Sequence, residues 1–212
     1  MNLNYLFENW RRVLDLAWDH VTLTVIALAL ALLLAIPLGV VVAHWPRTSL
    51  PIIGVLGIVY TIPSLALLAF LIPVFGLGRQ PAIFVLASYA QLSLVRNISA
   101  ALRGVDPSVL ESARGSGMSD SQVFRNVRLP LAMPVLIAGL RVASVTTISL
   151  ATLTAWIAAG GLGTLLFDGI SRDNPSMILA GAIAIAVLAA VTDLSLRFSE
   201  RLTSVSRSQR RV

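Results

Sequence analysis

The sequence contains no cysteine and no lysine, and only two of its 212 residues are histidine. Without cysteine, the chain can form no disulfide, thiol nucleophile or Cys-ligated zinc site. A nucleotide-binding P-loop requires a lysine after its glycines, so this chain cannot supply that loop. His20 and His44 are far apart, and each lies beside an apolar segment. We therefore expect no metal site and no catalytic residue on this chain.

Charged residues are also scarce, at 12% of the chain, whereas hydrophobic residues make up 57%. A soluble domain of this length could not hide so much apolar surface in one core, which indicates a membrane protein. The formal charge of +6 comes from arginines that lie between and after long apolar runs. This distribution favours contact with membrane lipid and argues against a nucleic-acid partner.

Five segments are long and apolar enough to cross a membrane. A helix that rises ~1.5 Å per residue needs roughly 20 apolar residues to cross a hydrocarbon core of ~30 Å. Pro63 interrupts the second segment, Pro73 closes it, and Pro134 lies near the start of the fourth, so kinked or broken helices are expected in both. The predicted fold is all-α and polytopic, with spans at 21–43, 50–75, 81–101, 131–159 and 176–196.

The ends of the chain differ from its centre. Residues 1–20 have the periodicity of an amphipathic helix, which could lie on the outer membrane interface or pack against the bundle. Residues 21–202 form a single predicted transmembrane domain, and residues 203–212 are predicted to form a basic, disordered tail attracted to anionic lipid. With the N-terminus outside, eleven arginines fall on the cytoplasmic side and four fall outside. This bias predicts an outer N-terminus and a cytoplasmic C-terminus.

The loop at 103–130, between the third and fourth spans, contains helix signals of its own. Asp106 can cap a first helix, Pro107–Gly115, because the proline that follows it loses no hydrogen bond at the first helical position. Gly117, or the glycine that closes this helix, can adopt the left-handed turn that ends it. Ser119 to Gln122 has the form of a capping box and opens a second helix, predicted to stop before the next proline. Two short cytoplasmic helices joined by a tight turn are expected.

The same loop carries a motif. Glu111-Ser112-Ala113, three residues, Gly117, nine residues and Val-Arg-Leu-Pro at 127–130 is similar to the EAA loop of ABC importer permeases. The departures are Ser112 in place of alanine and valine in place of isoleucine. In that family the loop forms a coupling helix that docks on the ATPase. The resemblance implies this role for Glu111, Ser112, Ala113, Gly117, Met118, Ser119 and Asp120. The alternative is an ordinary helix–turn–helix connection between spans.

A wider resemblance covers nearly the whole chain. Its matching stretches are Ile36–Gly39, Tyr60–Leu67, Arg96-Asn97, Gly104–Pro107 and Ala159–Gly163. They resemble the permeases for glycine betaine, carnitine and choline, which implies a type I importer fold like that of the methionine permease. The Gly-Gly-Leu-Gly stretch also occurs in methionine-type permeases. Methionine or another amino acid is therefore the alternative cargo.

Two groups of residues are candidates for the translocation path. The break at Pro63 frees backbone carbonyls that would favour a cationic headgroup, and Thr61 and Ser64 flank it. A hydroxyl-bearing stripe on the fourth span adds Ser144, Thr147 and Thr154. The alternatives are a packing kink at the proline and a helix contact along the stripe. Only one tryptophan lies inside a span, so an aromatic cage for quaternary ammonium is expected on a separate binding protein.

Two ionisable residues lie within the predicted spans, where a charge is costly. Arg141 is expected to pair with an acid from another helix, although it could also snorkel or face the path. Asp193 is expected to pair with Arg197, four residues further along the same helix.

The resemblance implies three protein partners. They are an ATP-binding subunit that holds the ATP and Mg, an extracytoplasmic substrate-binding protein, and a second permease copy, identical or similar, because five spans are too few to enclose a path. No cofactor is expected on this chain, which we interpret as a permease rather than an enzyme. An ion-coupled carrier or channel would need intramembrane acids, and an intramembrane enzyme would need a cluster of catalytic groups. Asp193 is the one acid within the spans, which argues against both.

Overall fold

The computed structural model describes residues 4–202, and within that range it contains helices but no strand. The predicted all-α fold class is therefore confirmed. A π-helical segment, Phe124–Arg128, leads into the fourth span, and a 3-10 segment, Leu153–Ile157, follows it. The predicted tail at 203–212 lies outside the described residues. The α-helices are α1 Asn4–Glu8, α2 Trp10–His44, α3 Pro46–Thr61, α4 Ser64–Phe75, α5 Arg79–Arg103, α6 Pro107–Gly115, α7 Asp120–Val123, α8 Leu129–Ala151, α9 Gly163–Ser171 and α10 Pro175–Leu202.

Four helical stretches of the described chain are long and apolar enough to cross a membrane, and a bent pair of helices adds a fifth candidate. The four are α2, α5, the continuous stretch Asp120–Ile157, and α10. The bent pair is α3 and α4, whose axes meet at 89°. Ile62 takes an extended conformation before Pro63, as expected for a residue that precedes proline. The predicted break at Pro63 is confirmed, whereas Pro134 lies inside α8 without ending it.

The helix that contains the first predicted span begins before that span, at Trp10. We placed a boundary at residue 20, between an interfacial helix and the span, but α2 runs without interruption from Trp10 to His44. No glycine or proline occurs between Trp10 and Ile36, so nothing in that stretch breaks the helix. Only α1 is a separate short helix at this end of the described chain.

Small residues allow α2 and α5 to pack closely. Ala27, Ala31 and Ala35 are fully buried and recur every fourth residue on one face of α2. Gly39 continues this row, and a Cβ atom there would lie only 2.5 Å from Ile98 Cγ2 of α5. On another face of α5, a Cβ atom at Gly139 of α8 would meet Asn97 at the same distance. Close backbone approach at small residues is the usual way for helices to associate in a membrane, and it makes α5 the centre of this bundle.

An ion-pair cluster connects α8 to α10. Arg141 Nε donates to Asp193 Oδ1 at 2.9 Å, and Arg141 Nη1 donates to Glu200 Oε2 at 2.9 Å. The prediction that Arg141 pairs with an acid from another helix is confirmed. The prediction that Asp193 pairs with Arg197 is wrong, because the tertiary fold places the guanidinium of Arg141 against that carboxylate.

The end of the fourth span also differs from the prediction. The span was expected to reach residue 159, but the α-helix ends at Ala151 and a single 3-10 turn follows. Ala158, Gly160 and Gly161 then have positive φ angles, which reverse the chain into α9. This short helix was not predicted, since it has only 9 residues and cannot cross a membrane.

Candidate functional site

The loop between the third and fourth spans is an ordered elbow of two short helices. In α6, Asp106 is the N-cap, and its Oδ1 accepts a hydrogen bond from the backbone N–H of Ser108 at 2.8 Å. This bond stabilises the carboxylate and lowers the pKa of Asp106 below its ordinary value. The helix spans Pro107–Gly115, which is the range that the sequence predicted.

The turn after α6 depends on Gly117, whose φ is +85°. The N–H of Met118 donates to Ala113 O at 3.3 Å, and the N–H of Gly117 donates to Arg114 O at 2.9 Å. Together these bonds form a Schellman motif, in which the left-handed residue is usually glycine. Gly115 remains the last residue of the helix, so Gly117 is the glycine that makes the turn.

The second helix begins with the predicted capping box. The N–H of Ser119 donates to Gln122 Oε1 at 2.8 Å, and the N–H of Gln122 donates to Ser119 Oγ at 3.4 Å. The prediction that this helix stops before Pro130 is wrong, because α7 continues through the π-helical segment into α8. The Leu129 N–H donates five residues back, to Phe124 O, so the wider π register carries the chain past the proline.

The elbow is anchored on one side and open on the other. Leu110, Ala113 and Val123 are buried in the core that also contains the C-terminal end of α5. Arg114 Nε contacts Asp120 Oδ1 at 3.2 Å across the turn. Of the predicted coupling residues, Ala113 faces the core, and the following are exposed: Glu111, Ser112, Gly117, Met118, Ser119 and Asp120. The exposed side chains of Val109 and Met118 add apolar surface to this polar tip.

A second candidate site is a cavity of about 420 Å³ at the bend between α3 and α4. Its lining includes four predicted path residues, Thr61, Pro63, Ser64 and Thr147, and so joins the bend to α8. The α5 residues Tyr89 and Ser93 form a further wall. The remaining lining residues are Tyr60, Ile62, Ala90, Val142, Ala143, Thr146 and Leu150.

The other two predicted path residues lie elsewhere. Ser144 is buried and lines a separate, mainly apolar groove between α8, α2 and α10. Thr154 is fully buried and donates to Ala151 O at 2.8 Å. The stripe predicted along one α-helical face does not extend this far, because the α-helix ends at Ala151 and the 3-10 turn changes the register.

The cavity contains polar groups but no formal charge, since none of its lining residues is acidic or basic. Thr61 and Thr147 donate their hydroxyl hydrogens to backbone carbonyls of their own helices, both at 2.7 Å. The first amides of any helix have no intrahelical partner. Helix α4 begins at Ser64 without a side-chain cap, so no capping side chain accepts from these amides either. The bend thus presents backbone amide groups at the start of α4 and backbone carbonyl groups at the end of α3.

Sequence reasoning missed two aromatic residues in this cavity. The rings of Tyr60 and Tyr89 have centroids 5.5 Å apart and are tilted by 46°. The Tyr89 hydroxyl donates to Ile62 O, one of the carbonyls freed by the bend. Tyr60 could have been found, because it begins the Tyr60–Leu67 stretch that carried the resemblance. Nothing in the sequence indicates that Tyr89 lies beside it.

A family model described as "Binding-protein-dependent transport system inner membrane component" matches residues 35–205. The chain belongs to this family. The family description agrees with the long apolar helices, because an inner membrane component must cross the membrane. Groups of acidic residues, histidine or cysteine able to hold a metal ion were not found among the described residues.

Relatives of this family member are similar over nearly their full length. The "Choline transport system permease protein OpuBB" of Bacillus subtilis is 40% identical over 98% of this chain and 96% of that protein. The "Carnitine transport permease protein OpuCB" of Listeria monocytogenes is 39% identical over 95% of this chain and 93% of that protein. The "Osmoprotectant import permease protein OsmW" of Salmonella typhimurium is 37% identical over 90% of this chain and 91% of that protein.

Solved structures support the fold. An inward-facing MetNI methionine ABC transporter chain matches with a TM-score of 0.82, 20% identity and coverage of 96% of this chain and 100% of that one. A chain from an amino acid ABC transporter crystallised with histidines matches with a TM-score of 0.77, 16% identity and coverage of 95% and 98%. The predicted type I importer fold, like that of the methionine permease, is confirmed.

Proposed function

We propose that this family member is the permease subunit of an ATP-driven importer for osmoprotectants such as glycine betaine, carnitine and choline. The observation that carries the proposal is identity of 35–40% over nearly the whole chain to permeases named for those solutes. The uncharged cavity at the bend suits zwitterionic cargo such as glycine betaine and carnitine, whose net charge is zero.

The elbow is proposed as the docking site for a separate ATP-binding subunit. That partner would bind ATP and Mg, since this chain has no P-loop lysine. The elbow exposes Glu111, Val109 and Met118, which gives a partner both a carboxylate and apolar side chains. A short helix held by a cap at one end and a Schellman turn at the other transmits a displacement instead of absorbing it.

Three further features belong to the proposal. An extracytoplasmic binding protein would deliver the solute, in keeping with the family description. A second permease copy, identical or similar, would complete the path, and α3 suits such an interface because none of its residues is buried within the chain. The N-terminus would lie outside and the C-terminus in the cytoplasm.

Within this chain, the proposed path passes through the cavity at the bend. Thr61, Pro63, Ser64 and Thr147 line it. Ser144 and Thr154 do not reach it, so their proposed contribution is helix packing.

The test is labelled glycine betaine uptake after osmotic upshift, in cells that carry the chain with its ATPase and binding protein. Gly117→Asp places a side chain at a φ of +85°, where it strains the turn, so we expect uptake to be abolished while the subunit remains in the membrane. The control is Gly115→Asp, which adds the same side chain to the same elbow at a residue with open space and no positive φ. It should retain most of the uptake.

Different results would point to different errors. ATP-driven uptake unchanged in Gly117→Asp would remove the coupling role of the elbow. Transport of methionine but not betaine by the wild type would leave the importer class intact and reject the cargo. Uptake that follows an ion gradient without ATP would instead favour a carrier.

A further inference from the structure

We propose that Tyr60 and Tyr89 form a binding site for the trimethylammonium group of the cargo inside the cavity. This inference rests on the proposed function, because it names the residues that recognise the solute within the permease. It also changes the expectation drawn from the sequence, which placed the aromatic residues for quaternary ammonium only on a separate binding protein.

The two tyrosine rings lie in the wall of the cavity. Tyr60 lies in the last turn of α3 and Tyr89 belongs to α5, and both line the cavity at the bend. Tyr60 lines the cavity and is 46% exposed, so other residues of the described chain do not cover its side chain. The hydroxyl of Tyr89 is bonded to Ile62 O, which holds the second ring in place against the bend.

The chemistry of a trimethylammonium group matches an aromatic site. A trimethylammonium group carries a positive charge but no N–H, so it cannot donate an ordinary hydrogen bond. It is attracted instead to the electron-rich faces of aromatic rings and to carbonyl dipoles. The cavity offers both, because the two tyrosines lie beside the end of α3, where carbonyl groups carry partial negative charge.

The absence of charged lining residues makes this attraction decisive. Among the described residues that line the cavity, none is aspartate, glutamate, arginine or histidine. A cation there is therefore neither neutralised by a carboxylate nor repelled by a guanidinium. The rings then determine whether a methylated cation is preferred over a neutral molecule of the same shape.

The geometry also indicates weak binding. With centroids only 5.5 Å apart, the two rings contact each other and leave no gap between them for a cation. A cation can reach only their outer surfaces, so the site is half of an aromatic cage. Weak binding suits a residue pair on a path, because an occupant must also leave.

The experiment uses the permease assembled with its ATPase in lipid nanodiscs, without the binding protein. Two probes are compared by saturation-transfer NMR of their methyl signals and by competition: choline, and its uncharged isostere 3,3-dimethylbutan-1-ol. The two have nearly the same shape, so a purely apolar pocket would not prefer choline. We expect the wild type to prefer choline, and Tyr60→Leu to lower that preference about two- to tenfold.

Two more variants separate loss of the ring from loss of the fold. Tyr60→Phe restores an aromatic face and should recover the preference for choline. Phe70→Leu makes the same kind of change on the same bent segment, at an exposed residue that does not line the cavity, and should leave the preference at the wild-type level.

The proposal is overturned if the wild type binds the two probes equally, or if Tyr60→Leu keeps the full preference for choline. Uptake of choline by the complete transporter is measured in parallel. Absence of wild-type uptake of choline, and of glycine betaine and carnitine when these are supplied instead, would reject the proposed function, whereas normal wild-type uptake with an unaffected Tyr60→Leu binding preference would reject only the tyrosine site.

Discussion

His20 shows how one buried polar side chain can hold distant parts of this chain together. Its ring is fully buried. Nδ1 accepts a hydrogen bond from the backbone N–H of Leu162 at 3.2 Å, and Nε2 lies 3.0 Å from Ile148 O, which can only accept. These partners assign the neutral tautomer with the proton on Nε2. His20 thereby connects α2 to the end of α8 and to the reversal before α9.

The same contact explains a glycine of the Gly-Gly-Leu-Gly stretch. Gly161 has a φ of +82°, and a Cβ atom there would lie 2.9 Å from His20 Nδ1. A larger residue is therefore disfavoured both by the backbone conformation and by the histidine ring. In this chain the stretch has a structural basis that does not depend on the cargo.

We predict that His20→Ala lowers the stability of the permease. The substitution leaves the buried N–H of Leu162 and the carbonyl of Ile148 without their partner, at a cost of about 1–3 kcal/mol for an unsatisfied buried group. The thermal unfolding midpoint of the purified protein in detergent would measure the effect. His44→Ala is the control, because His44 is exposed at the end of the same helix. Equal midpoints for the two variants would contradict the structural role of His20.

Among the helices, the contact between α2 and α5 depends on a row of very small residues on α2. The row from Ala27 to Gly39 presents a nearly flat surface, and α5 lies directly on it. A row of small residues allows dispersion contacts along the whole length of two helices. These contacts matter in a membrane, because moving an apolar side chain from lipid to a helix contact gains little hydrophobic free energy.

We predict that Gly39→Val disrupts this contact. The new side chain would need space already filled by Ile98, and overpacking of this kind costs about 1–3 kcal/mol. The readouts are the thermal unfolding midpoint and the fraction of monodisperse protein after size-exclusion chromatography in detergent. Gly54→Val provides the control, since a Cβ atom at Gly54 on α3 would meet nothing within 4 Å. Similar losses in both variants would show that helix propensity, rather than the α2–α5 contact, determines the result.

The orientation proposed for the molecule rests on arginine counts alone, and the absence of cysteine makes it easy to test. Ser116 lies at the elbow and Ser171 at the end of α9, both are exposed, and the proposed orientation places them on opposite sides of the membrane. We predict that a membrane-impermeant maleimide labels Ser171→Cys in intact cells and labels Ser116→Cys only after permeabilisation. The cysteine-free wild type is the background control. The reverse labelling pattern would invert the proposed topology.

Predictions from the sequence succeeded where interactions between residues close together in the chain determine the structure. The elbow is the clearest case, because the aspartate cap, the left-handed glycine and the capping box each depend on groups within a few residues of one another. The break at Pro63 belongs to the same class, since the missing N–H and the restriction on the preceding residue act locally. Apolar runs of sufficient length likewise indicated the spans, because hydrocarbon thickness sets the number of residues required.

Predictions failed or stopped where the partner is far away in the chain. The sequence identified an arginine that needs an acid, but only the packing of α8 against α10 decided that Asp193 and Glu200 supply it. The sequence assigned Thr61 and Thr147 to two separate groups of candidate path residues. In the fold both line one cavity, whereas Ser144 lines another groove. No local pattern predicted the Tyr60–Tyr89 pair, because Tyr60 belongs to α3 and Tyr89 to α5, and these helices meet only in the tertiary fold. Local hydrogen bonding and hydrophobicity act over a few residues and can be read along the chain, whereas side chains from different helices converge only after the helices have packed.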